Sequence, residues 1–90
     1  MRFAWDPVKA AANLKKHGVS FYEAASVLKD PLSTTFPDRG PSALERRSLT
    51  VGMSQSGRML VVAHAERGKT IRIISARPTT RRERGFYEQG

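Results

Sequence analysis

Apolar residues recur at helical spacing over the first thirty positions and at strand spacing over the second half, with a polar stretch between. Arg2 to Trp5 suits a short strand. Asp6-Pro7 then predicts a helix start, with Asp as N-cap and Pro preorganised at the first helical position. Lys15, Lys16 and His17 favour its last turn, where the helix dipole attracts cations, and Gly18 supplies the left-handed residue beyond it. A second helix follows, because Ser20 and Glu23 have capping-box spacing and Val19 with Ala24 can form a hydrophobic staple. Its apolar stripe is Phe21, Ala24, Ala25 and Leu28, and Asp30-Pro31 ends it. These elements predict a helical hairpin that covers a sheet.

Leu32 to Phe36 suits a brief edge strand, and Pro37 to Ala43 reads as a loop. The period then becomes two. Leu49, Val51 and Met53 alternate with Ser48, Thr50 and Gly52; Gln55-Ser56-Gly57 turns the chain into a strand from Met59 to Ala65; Glu66 to Lys69 turns it again into Thr70 to Arg77. This predicts an antiparallel meander. Thr80 with Glu83 offers a further capping box for a terminal helix from about Arg81 to Glu88. The fold expected is therefore α+β in one domain, an antiparallel sheet with an N-terminal helical hairpin and a C-terminal helix. If no strand bulges, parity turns Leu49/Val51/Met53, Met59/Val61/Ala63/Ala65 and Ile71/Ile73 toward the helices. The other face then collects Arg46, Ser48, Thr50, Arg58, His64, Glu66 and Arg72, and a single bulge would swap several of these positions.

Charge adds a direction to this pattern. The 90 residues carry 16 Lys and Arg against 8 Asp and Glu, a net charge of +8. Residues 1 to 45 hold six basic and five acidic side chains, whereas residues 46 to 90 hold ten and three, so nearly all the excess lies in the sheet and terminal helix. That distribution points to a polyanionic partner. With no cysteine, disulfides, Cys-based zinc sites and thiol nucleophiles are excluded, and a reducing compartment is allowed. The longest apolar run, Met59 to Ala63, is far too short for a membrane span, and Met1 to Asn13 has no apolar signal region. The scattered carboxylates and the absence of a Gly-rich phosphate loop predict neither metal nor nucleotide cofactor.

Two constellations remain. His64, Glu66 and Arg72 supply the groups that metal-free cleavage of an RNA phosphodiester needs: proton acceptor, proton donor and a guanidinium for the transition-state charge. The alternative is a half-buried strand histidine and a turn glutamate paired with Arg67 or Lys69. His17 is already accounted for by the helix dipole, with a supporting role left open. The second group is Arg77, Arg81, Arg82 and Arg84. Arg81 and Arg82 occupy the first turn of the terminal helix, where positive charge opposes the dipole, and a bound phosphate would reverse that penalty. A solvated Arg-rich helix is the plainer reading. Phe86 is expected to dock that helix, and Tyr87 either to dock it or to stack on a base.

The residues together resemble the BrnT ribonuclease toxins of bacterial type II toxin–antitoxin systems, within the wider RelE-like group. The resemblance rests on Phe3-Ala4-Trp5-Asp6; Lys16-His17-Gly18-Val19-Ser20-Phe21 with Glu23-Ala24; Leu60-Val61-Val62 running to Glu66-Arg67-Gly68; Ile71-Arg72-Ile73-Ile74-Ser75-Ala76-Arg77; and Arg82-Glu83-Arg84 with Tyr87-Glu88. Nothing carries over for Phe36 to Arg47, and Thr79 stands where alanine is more typical. The resemblance implies a RelE-like fold, RNA cleavage that inhibits translation, cytoplasmic action, a BrnA-type antitoxin partner, and operator DNA bound indirectly through that antitoxin. It transfers no catalytic triad. The residue chemistry selects His64, Glu66, Arg72, Arg77 and His17 as catalytic candidates, and Arg46, Arg58, Arg81, Arg82, Arg84 and Tyr87 as RNA contacts. The alternative function is a non-catalytic RNA- or operator-binding module whose arginines act through counterion release alone.

Overall fold

A computed structural model describes residues 2–38 and 47–89, the side chains of Phe86 and Gln89 excepted. The order is β1 (Arg2–Ala4), α1 (Pro7–His17), α2 (Phe21–Val27), β2 (Thr34–Asp38), β3 (Arg47–Met53), β4 (Met59–Arg67), β5 (Thr70–Pro78) and α3 (Arg81–Gln89). The helix boundaries follow the caps. Asp6 accepts from Val8 N–H at 2.8 Å, and Gly18 closes α1 in the left-handed region at φ 70°. Ser20 Oγ accepts from Glu23 N–H at 3.1 Å, but the Glu23 carboxylate does not return to complete the box. It is taken by Ser54, Ser56 and Arg58 from the β3–β4 turn. At α3 both halves of the box form, with Thr80 N–H donating to Glu83 and Glu83 N–H to Thr80 Oγ1.

The five strands form one sheet in the order β1-β5-β4-β3-β2. The expected all-antiparallel sheet is corrected at one edge: β1 pairs with β5 in parallel, Phe3 opposite Ile71. The helical pair therefore follows a first strand and serves as the crossover to the rest of the sheet. The edge strand β2 begins two residues later than expected and includes Pro37 and Asp38, while Glu66 and Arg67 extend β4 rather than forming the turn. An edge position tolerates Pro37 because its missing N–H need not serve the ladder.

Register decides which face each side chain occupies. Val62 lies opposite Ala76 and Ala63 opposite Ser75, but His64 lies opposite Ile73, so Ile74 is an extra residue in β5. The core beneath α1 and α2 consists of Val19, Phe21, Ala24, Ala25 and Val27 against Leu60, Val62, Ile73 and Ala76. The expected inward face was thus correct for Ile71 and Ile73 and inverted for β3 and β4. Leu60 and Val62 face α1 and α2, whereas Val51 and Val61 share the opposite face with Glu83 of α3. Strand β4 is apolar on both faces because both are covered, so alternation alone cannot orient it.

Asn13 fastens the helical layer to the sheet. Its Nδ2 donates to Val19 O and Ala76 O at 3.0 and 2.9 Å, and its Oδ1 accepts from Ala76 N–H at 3.1 Å. It is buried, and these bonds satisfy its amide in an otherwise apolar setting. Helix α3 is held at both ends: Arg77 forks onto Glu83 at 2.8 and 2.7 Å, and Tyr87 Oη donates to Asp30 Oδ2 at 2.8 Å.

Candidate nucleic-acid interface

The bulge at Ile74 divides the first constellation. Glu66 follows His64 by two residues in an unbroken stretch of β4, so both point to the side of α1 and α2, whereas Arg72 lies opposite Ala65 and points to the side of α3. The expected cluster of His64, Glu66 and Arg72 is therefore corrected to two groups on opposite faces. His64 is 4% exposed. Its Nε2 lies 2.7 Å from Thr50 Oγ1, which lies 2.8 Å from Thr35 Oγ1, and its Nδ1 has no hydrogen-bond partner among the described residues. Burial lowers the His64 pKa, and the Glu66 charge only partly offsets this. A neutral, enclosed imidazole in a hydroxyl chain is the half-buried strand histidine weighed above, more buried than supposed. Glu66 is exposed near the β4–β5 turn, and His17 closes α1 in the helical layer.

Arg58, expected among the RNA contacts, is engaged elsewhere. Its Nε donates to Glu23 Oε2 at 2.9 Å and its Nη2 to Gly18 O at 2.9 Å, tying the β3–β4 turn to the α1–α2 junction. The Arg58 guanidinium and two serine hydroxyls hold the Glu23 pKa at about 2, against the desolvation that raises it. Arg46 lies outside the described residues.

The face carrying α3 gathers the remaining arginines. Arg47 is opposite Ala65, and Ala65 is opposite Arg72, so two guanidinium-bearing side chains flank one small residue in a straight row across three strands. Two strand spacings separate their backbones, about 10 Å. Arg67 shares this face two residues beyond Ala65. Arg77 lies opposite Val61 on the same face and reaches Glu83. The Arg77 guanidinium holds the Glu83 pKa at about 2, with the Thr80 bonds adding to the effect and burial opposing it. Because Glu83 turns inward to Arg77 and Thr80, the exposed first turn of α3 is left to Arg81, Arg82 and Arg84, with Glu88 exposed farther along the helix. Tyr87 docks α3 through Asp30; the Phe86 side chain lies outside the description.

This face thus presents an apolar floor that includes Leu49, Val51, Val61 and Ala65, with the Arg47–Arg72 row on the sheet and further arginines on the adjoining helix. Guanidinium groups fork onto phosphate oxygens, and their number on one face suits a chain of phosphates better than a single anion. Among the described residues no three His, Asp or Glu side chains converge as metal ligands. No helix among them is long and apolar enough to cross a membrane. Arg47 and Arg67 were not among the expected site residues. The adjacent pair Arg46-Arg47 was the available signal, but the expected parity named Arg46, outside the described residues, and passed over Arg47.

Comparison with known proteins bears on the fold and the family. The crystal structure of the Brucella abortus ribonuclease toxin BrnT, at 1.1 Å resolution, superposes with a TM-score of 0.70 at 23% identity, covering 90% of this chain and 99% of that one. This likeness establishes the shared α+β fold. No curated protein matches the sequence significantly. The family model described as the ribonuclease toxin BrnT of a type II toxin–antitoxin system matches residues 5–83. The chain therefore belongs to the BrnT family of type II toxin–antitoxin ribonuclease toxins.

Proposed function

We propose that this toxin is a metal-independent endoribonuclease that cleaves messenger RNA on the α3 face and thereby inhibits translation in the cytoplasm. The observation that carries this reading is the arginine row of Arg47 and Arg72 beside Arg77 and the exposed Arg81, Arg82 and Arg84. In-line attack by a 2′-OH places a second negative charge on the phosphorane, and guanidinium groups fixed on a sheet stabilise it without reorganising. Arg72 is assigned that role, with Arg47 and the α3 arginines on flanking phosphates, and Arg77, forked onto Glu83, fixes α3 beside them. The bond formed is 2′-O to phosphorus and the bond broken is phosphorus to 5′-O; the 2′-OH proton leaves to water and the departing 5′-O takes one from water, which yields a 2′,3′-cyclic phosphate and a 5′-OH.

His64 and Glu66 are withdrawn from proton transfer at this site because they face the opposite side of the sheet. His17 is withdrawn for the same reason of placement in the helical layer. On this reading the fold is RelE-like, and the family's antitoxin partner is of BrnA type. An acidic antitoxin segment laid across the arginine face would block RNA by occupying the same charges, and operator DNA would be reached only through the antitoxin. The test is incubation of purified toxin with RNA in excess chelator, followed by end-group analysis. Cleavage with cyclic phosphate and 5′-OH ends is expected; cleavage abolished by chelator, or 5′-phosphate ends, refutes the mechanism.

A further inference from the structure

Between α3 and the sheet lies a pocket of about 210 Å³ lined by Phe36, Leu49, Val51, Val61 and Glu83. Register explains its shape. Phe36 is opposite Leu49 and Val51 is opposite Val61, so two adjacent cross-strand rows supply an apolar floor, with Glu83 as the polar rim. The same face carries the Arg47/Arg72 row on one side of this floor and Arg77, opposite Val61, on the other. An apolar pocket set between guanidinium groups matches an apolar ring carried on a phosphate chain. Its size agrees, since a cavity of about 150 Å³ admits benzene.

The geometry points to a subsite for a single unstacked nucleobase of the RNA strand, with Phe36 and the aliphatic floor on its faces and Glu83 at its edge. This rests on the ribonuclease reading above and adds base selection to it. Phe36 is partly exposed and forms one wall of the pocket, and aromatic walls are those against which single-stranded RNA bases are commonly held. Glu83 Oε1 accepts from Thr80 N–H and Arg77 Nη1, whereas Oε2 accepts only from Arg77 Nη2 among the described residues. The remaining lone pair on Oε2 accepts a hydrogen bond from an exocyclic amine. Cytosine, adenine and guanine carry such an amine, whereas uracil has none and offers only its ring N3–H, flanked by two carbonyl oxygens that the carboxylate disfavours.

The experiment uses full-length toxin and uncleavable 2′-O-methyl hexanucleotides of cytidine, of uridine and of abasic ribose phosphate, with affinity read by fluorescence anisotropy. The cytidine oligomer is expected to bind roughly five- to hundredfold more tightly than the abasic chain, the range of base–aromatic stacking. Uridine is expected to fall between them. Val61→Phe fills the pocket and should bring all three to the abasic affinity; Leu49→Ala, which leaves the strand register intact, should reduce the cytidine advantage without abolishing phosphate binding. Circular dichroism melts establish that each variant is folded. Equal affinity of the wild type for all three oligomers overturns the subsite, and equal affinity for cytidine and uridine overturns the role of Glu83. A toxin that neither binds nor cleaves any RNA fails the ribonuclease reading instead.

Discussion

Glu83→Gln isolates the charge that fastens α3 to the sheet. Glutamine keeps the acceptor for Thr80 N–H, so the capping box survives, but it loses the carboxylate that Arg77 grips with two bonds at 2.8 and 2.7 Å. Displacement of the Glu83 pKa from 4.5 to about 2 corresponds to roughly 3 kcal/mol if the pair were fully shielded. Arg77 is 41% exposed at its side chain, so water screens the pair and about 1–2 kcal/mol remains. The folded-state pKa is depressed, hence this stabilisation is complete above pH 4.5 and is lost as pH falls toward 2. Urea unfolding of wild type and Glu83→Gln, followed from pH 7 to pH 2, checks it. The wild type should be more stable by about 1–2 kcal/mol at pH 7, with the gap closing steadily between pH 4.5 and 2. A gap that is absent at neutral pH, or that does not change with pH, refutes the ion pair as its source.

Four other substitutions have outcomes set by the same geometry. Arg72→Ala should weaken RNA binding and flatten its salt dependence by about one log unit, whereas His64→Ala should leave that slope unchanged and cost about 1–3 kcal/mol of stability through the orphaned Thr50 hydroxyl and the cavity left behind. Asn13→Ala should destabilise by roughly 3 kcal/mol in a denaturant melt, because Ala76 N–H and the Val19 and Ala76 carbonyls lose their buried partner. Gly52→Ala should cost about 1–3 kcal/mol in the same assay, since a Cβ there would stand 2.9 Å from Ser33 Cβ and 3.1 Å from Val27 Cγ1.

Local chemistry was legible in the sequence, and long-range register was not. The start and stop of α1 and the start of α3 follow from Asp6-Pro7, Lys15 to Gly18 and Thr80 with Glu83, because each cap is made by residues within four positions of one another. Glu23 shows the limit. Its spacing from Ser20 promised a closed box, but Arg58, 35 positions away, offered a charged partner that the box could not match. The faces of the sheet failed for a related reason. Leu60, Val61 and Val62 are all apolar because helices cover both sides of β4, and one extra residue in β5 carried Arg72 away from His64. The adjacent Ile73-Ile74 pair, which breaks the alternation, was the mark of that bulge. The concentration of arginine in the second half of the chain did survive, because charge counted over a region does not depend on which face a single strand presents.

RNA is expected to lie on the α3 face. Amide chemical-shift mapping of isotope-labelled toxin with an uncleavable 2′-O-methyl RNA tests it most directly. Perturbations are expected to concentrate at Arg47, Leu49, Ala65, Arg72, Arg77 and the first turns of α3. Perturbations centred instead on α1, α2 and the Glu23–Arg58 junction would contradict it.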